Sequence, residues 1–123
     1  MAFLTDNAMD SGVAYIDTNG ETLHICNAAP SSYANVAAVT VGNKATPTIG
    51  VPENGASNGR RVIISAITDG SVTATDTATH WALVKDSATA ELLAWQTLSA
   101  SQAVTSGNTF TLDAISITIP DPA

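Results

Sequence analysis

The run "TFTLDAISITIP", residues 109–120, alternates almost without interruption but changes phase in its middle. Phe110 and Leu112 are even-numbered, whereas Ile115, Ile117 and Ile119 are odd. Side chains on a strand point to opposite faces with period two, so a slip of one residue moves the whole apolar set across the sheet. Two arrangements satisfy such a segment. A β-bulge at Asp113 and Ala114 absorbs the extra residue, or the strand bends from one sheet into another. Both belong to sandwiches and barrels, where strands turn corners.

The rest of the chain agrees with that class. "ETLHICN" alternates, with Leu23 and Ile25 on one side and Thr22, His24 and Cys26 on the other. "NAAPSSYAN" reads as a loop, because Pro30 interrupts a strand ladder, and residues 36–41 ("VAAVTV") read as a short apolar strand. Residues 42–61 carry glycines, prolines and two Asn-Gly pairs, which predicts a long loop. "VIISAIT" ends at Asp69-Gly70, a favoured hairpin turn. "SVTAT" and "THWALVK" flank a softer break near Asp76 and Thr77, "DSAT" precedes "ELLAWQTL", and "SASQAVTSGN" reads as a polar connection ending in Gly107-Asn108. Six to eight short strands with turn signals between them predict an all-β, antiparallel sandwich forming a single domain over residues 1–123. No repeat of fixed period is visible, which argues against a solenoid or propeller.

One segment departs from period two. Met9, Val13 and Ile16 recur at helical spacing, so a short N-terminal helix is expected over residues 6–18. Thr5 or Asp6 supplies the cap, Leu4 and Met9 form a hydrophobic staple if Thr5 is that cap, and Asn19-Gly20 gives a left-handed exit. Gly12 weakens the helix by roughly 1 kcal/mol relative to alanine.

Composition limits the functions open to such a fold. Of the 123 residues 12% are charged and 45% apolar, with a net charge of −7. So apolar a chain argues against disorder, no apolar run reaches the roughly 18 residues of a membrane span, and the first residues lack the basic and apolar regions of a secretory signal. A soluble chain made in the cytoplasm is expected. Phosphate backbones repel so acidic a chain, and the Arg60–Arg61 pair is too small to steer a polyanion. Cys26 is the single cysteine; it cannot form an intrachain disulfide and fits a reducing compartment.

Candidate chemistry is sparse. In "DTATHWALV", residues 76–84, a histidine stands beside a tryptophan. Strand alternation sends His80 to the face of Ala78, Ala82 and Val84, and Trp81 to that of Thr79 and Leu83. The two therefore do not share a pocket, and His80 lacks the nearby acid that orients a general base. Trp81 and Trp95 are expected to meet across a hairpin, as opposed aromatic pairs do. Core or interface packing is assigned to Trp81, Trp95, Leu83, Leu93 and Ile117. His24, Cys26 and His80 are chemically able to ligate zinc, but the spaced ligand pairs of a zinc site are missing, and a buried structural cysteine is the commoner case. Thr73, Thr75, Thr77 and Thr79 read as surface-strand residues. Hydrolase, metalloprotease, nucleotide and dinucleotide motifs are missing too. No catalytic, metal or cofactor residue is assigned, and no enzyme is expected.

The strings "MAFLTDNAMD", "LHICNAAPSSYA", "NGRRV", "TATHWALV" and "QTLSASQAVTSGNTFTLDAISITIPD" resemble a group of small structural proteins encoded in the head and tail regions of tailed bacteriophages and prophages. The resemblance spans nearly the whole chain, rests on scaffold residues and carries no catalytic residue with it. It implies a virion component: a capsid decoration (cement) protein acting as a homo-oligomer on a phage capsid or tail protein, or a small tail- or fibre-associated module that binds carbohydrate or a receptor. For the first, residues 42–61 or 1–20 are the expected grip on the shell; for the second, an exposed aromatic platform is expected.

Overall fold

A computed structural model describes residues 6–87 and 89–120, with the backbone alone for residues 6–9. The Thr5 cap and the Leu4–Met9 staple lie outside the described residues and side chains. Helix α1 (Asp6–Asn19) is followed by β1 (Thr22–Cys26), helix α2 (Tyr33–Val39), β2 (Thr40–Ala45), β3 (Glu53–Asn54), β4 (Arg60–Ile64), β5 (Ile67–Val72), β6 (Asp76–Lys85), β7 (Glu91–Val104), β8 (Thr109–Leu112) and β9 (Ile115–Ile119). The all-β class with a short N-terminal helix is therefore what the chain adopts. Its strands form a six-stranded antiparallel sheet, ordered β7-β6-β1-β2-β5-β8, and a three-stranded one, ordered β3-β4-β9.

The phase change near the C-terminus resolves as the bend between sheets: β8 lies in the large sheet and β9 in the small one. The preceding strands do the same, β4 pairing β9 and β5 pairing β8. Ile64 stands opposite Ile115 and Ile67 opposite Leu112, so both strands advance equally through the corner and one register crosses it. A continuous two-stranded ribbon thus joins the sheets. The large sheet curls until Gln102 Nε2, on β7 at one edge, donates to Thr111 O on β8 at the other, 3.0 Å away.

The core fills the inside of this curl. Leu23, Ile25, Val41, Ile64, Val72, Trp81, Leu83 and Phe110 pack together, with Ile16, Leu93, Leu98, Ile115 and Ile117 against them. Helix α1 covers the small sheet: Val13 is buried, and Arg60 Nε donates to Asp10 Oδ1 at 2.7 Å. On the outer face of the large sheet, α2 makes a second cluster of Cys26, Val36, Ala82 and Val84.

Several local expectations are corrected. Residues 36–41 are not a strand; α2 occupies 33–39 and β2 begins at Thr40. Ser32 caps the helix by accepting the Asn35 N–H at 3.2 Å, which places Val36 inward and leaves Ala37 and Ala38 exposed. A run of small apolar residues reads equally as strand or helix, and here the cap decides. Residues 42–61 are not one loop either. β2 runs to Ala45, β3 occupies Glu53–Asn54, and residues between them are pinned by Thr46 N–H to Glu21 O, Gly50 N–H to Ile63 O and Ser65 N–H to Thr48 O.

Asp69-Gly70 forms no hairpin: it lies inside β5, at a register shift against β8. A Cβ at Gly70 would stand 2.2 Å from the Phe110 ring, so this glycine makes room for an aromatic side chain. The break before β6 falls at residues 73–75 rather than at Asp76 and Thr77, and the "SASQAV" half of the expected connection is strand, β7 reaching Val104. Nor is Gly20 left-handed; its N–H closes the helix on Ile16 O, and a Cβ there would meet Ile49 Cδ1 at 2.6 Å.

Candidate functional site

The most distinctive opening is a groove of about 470 Å³ where β7 faces the corner between β8 and β9. It exists because β7 departs from its partner. Ala78 of β6 stands opposite Gln102 and His80 opposite Thr97, so four residues of β7, Leu98, Ser99, Ala100 and Ser101, face the single residue Thr79. Bulged residues leave the ladder and bend the strand. The opposite wall is the sheet-switching corner, with Leu112, Asp113, Ala114, Ile115 and Ser116. Gln96 and Ser99 supply polar side chains, the Gln102 amide is engaged by Thr111 O, and Asp113 is the single charged residue of the lining. Trp81 lies at the floor, 5% exposed, and its indole N–H donates to no group among the described residues.

The two tryptophans do not meet. Trp81 stands opposite Gln96 and Trp95 opposite Ala82, which puts the rings on opposite faces of the sheet. The mismatch follows from the β7 register, which shifts once between Leu92 and Ala94 and again after Thr97. Trp95 is 46% exposed and its ring meets the His80 ring edge-on, 5.7 Å between centroids. Leu83 is fully buried, while Leu93 and Ile117 are partly buried against the core.

His80 sits between two hydroxyls, with Thr79 Oγ1 2.8 Å from Nδ1 and Thr97 Oγ1 3.3 Å from Nε2. Both ring nitrogens thus engage neutral partners, an arrangement that fixes the ring without polarising it. His24 Nδ1 lies 2.9 Å from Thr40 Oγ1, and burial lowers its pKa against the opposing pull of Asp86. Cys26 is fully buried, and burial pushes its thiol up to about 11, which leaves it protonated and unreactive near neutrality. His24, Cys26 and His80 share the outer sheet face through the pairs His24–Ala82 and Cys26–His80. Among the described residues, no group of three or more His, Cys, Asp or Glu is placed to hold a metal ion, and no helix is long and apolar enough to cross a membrane.

A second polar constellation closes the ends of β1 and β6. Glu21 accepts the backbone N–H groups of Asp86 and Ser87 at 2.6 and 2.7 Å, and the Ser87 hydroxyl as well. Asp86 accepts from Thr22 and, at 2.8 Å, from the Tyr33 hydroxyl. Those bonds hold Glu21 below its ordinary carboxylate value and raise Tyr33 above its own. Every oxygen of this cluster that donates or accepts does so within the fold, so it fastens strands and α2 together.

Sequence reading singled out Trp81 but missed its polar neighbours Gln96, Ser99, Gln102 and Ser116. Parity hid them: Leu93 and Trp95 are both odd yet face opposite sides, because the β7 register shifts between Leu92 and Ala94. Comparisons of the chain with family models, with curated proteins and with solved structures each find no match.

Proposed function

We propose that this chain is a non-enzymatic structural component of a tailed-bacteriophage particle, a decoration protein that sits on the capsid as a homo-oligomer. The observation that carries the reading is the resemblance of five segments, spread over nearly the whole chain, to phage head- and tail-region proteins. The arrangement of the side chains is compatible with it. His80 is engaged by hydroxyls, Cys26 is buried and protonated, and the carboxylates of Glu21 and Asp86 are spent on fastening strands. An acidic exterior keeps free copies apart before assembly. For the contact between copies, the edge strand β7 offers a segment with no charge between Glu91 and Asp113, flanked by the exposed Trp95 ring. Uncharged edge strands are templates for pairing with another chain.

Mass spectrometry of purified particles and cryo-electron microscopy of the head test this. The chain is expected in the particle, as density on the outer shell. Its absence from particles, or density confined to the tail, would refute the decoration role. A second reading, a carbohydrate-binding module of a tail or fibre, is favoured by the polar groove beside Trp81 and by the exposed ring of Trp95; silence on a glycan array would remove it.

A further inference from the structure

We infer that the groove between the β7 bulge and the β8–β9 corner is a binding site for one terminal, neutral saccharide residue, held by the Trp81 indole N–H and the Gln96 carboxamide. The inference rests on the second of the two readings above and gives it a place. Four observations support it.

The first is Trp81. Its side chain is 5% exposed and lines the groove, and its indole N–H has no partner among the described residues and stays open to solvent rather than enclosed. A ligand oxygen seated over it completes the bond. The second is the polar lining: Gln96, which stands opposite Trp81 and shares its face, and Ser99 bring a carboxamide and a hydroxyl, both donors and acceptors, to one cavity. Sugar hydroxyls also donate and accept, and match such a wall. The third is charge. The lining holds no lysine or arginine, and Asp113 repels anions in a chain of net charge −7. Phosphates, sulfated sugars and uronates are thereby disfavoured.

The fourth is shape. The Gln102–Thr111 hydrogen bond ties the two walls together at one end of the groove. An extended peptide running through would have to break that tie, whereas the end of a glycan stops short of it. About 470 Å³ lies inside the usual range of small-molecule sites, roughly 300–1,000 Å³. Leu98, Leu112 and Ile115 add apolar surface for the C–H face of a sugar ring.

The test is a titration of the isotope-labelled full chain with glucose, galactose, mannose and N-acetylglucosamine, with glucuronate and an uncharged peptide as comparators, followed by backbone amide shifts. At least one neutral sugar is expected to bind saturably and to move amides of residues 96–102 and 112–116. Glucuronate is expected to bind more weakly. Gln96→Ala, at an exposed position outside the core, is expected to weaken binding about tenfold, the loss of one well-made hydrogen bond. Trp81→Phe, which keeps a ring but removes the N–H, is expected to do the same, with its amide spectrum showing whether it folds. Binding that maps to Trp95 and His80 would overturn the site while leaving a carbohydrate-binding module standing. Preference for the peptide, or binding unaltered in Gln96→Ala, would also overturn the site, and silence across the sugars would overturn site and module together.

Discussion

At Gly70 a single hydrogen atom decides whether the β5–β8 pair closes. The residue lies directly opposite Phe110, and the phenyl ring crosses the space that a side chain would fill. A Cβ would approach the ring carbons to 2.2 Å, and Phe110 is 2% exposed, so the ring has no solvent into which to retreat. Gly70→Ala is therefore expected to destabilise the fold by about 1–3 kcal/mol, the usual cost of overpacking a filled core. Denaturant unfolding followed by tryptophan fluorescence measures it; a midpoint equal to that of the wild type would show that the ring repositions freely. The sequence marked this pair correctly as special but for the wrong reason. Asp-Gly is a turn signal because glycine tolerates left-handed backbone, whereas here Gly70 keeps a negative φ and serves a ring contributed from forty residues further along. Local chemistry cannot reveal a need created by a distant neighbour.

The elements show the same division between local and distant causes. Helix α1 was legible because its apolar spacing is its own, and the β1 alternation because one face meets the core and the other meets α2. Helix α2 was not, since "VAAVTV" has too few polar residues to display a period. Its readable mark was Ser32, followed three residues later by Asn35. The Ser32 hydroxyl accepts the Asn35 N–H, and the Asn35 side chain accepts the Ser31 N–H at 3.0 Å. This reciprocal arrangement resembles a capping box with asparagine in place of the usual glutamate or glutamine. Ser32→Ala is expected to cost about 1 kcal/mol. Because α2 covers Cys26, the loss also has a chemical readout: native-state alkylation of Cys26 should accelerate about fivefold if the helix opens as a unit to expose it. An unchanged alkylation rate with a lowered melting temperature would show that the thiol is reached by some other opening. β7 was half legible. Its start at "ELLAW" was clear, but its continuation through "SASQAV" depends on the bulge and on the edge-to-edge tie at Gln102, both properties of the assembled sheet.

Across the whole molecule, one carboxylate gathers more of the fold than its exposure suggests. Glu21 follows the exit of α1 and opens β1; its N–H donates to Val84 O at the end of β6, its carbonyl accepts from Thr46 just after β2, and its side chain holds the Asp86–Ser87 turn. The hydrogen bonds from Ser87 and Asp86 lower its pKa from the ordinary 4.5, as those from Asn27 and Thr77 lower that of Asp76 from 3.8. The sign follows from linkage. A carboxyl with a depressed folded-state pKa contributes stability fully present above its unfolded value and lost as pH falls through the folded one. Acidification also relieves the mutual repulsion of a chain of net charge −7, a gain that develops over the same range. The two effects separate in Glu21→Gln. That variant keeps one carbonyl oxygen to accept the Asp86 and Ser87 N–H groups, loses the second acceptor oxygen and removes the charge at any pH, so its melting temperature should lie below the wild type's at pH 7. The gap should shrink as pH falls from about 4.5, where the unfolded chain takes up its proton, through the depressed folded-state value, below which the wild-type carboxyl is neutral as well. A gap of constant size from pH 7 to pH 3 would show that the charge of Glu21 contributes nothing, and that the junction of α1, β1, β2 and β6 is closed without it.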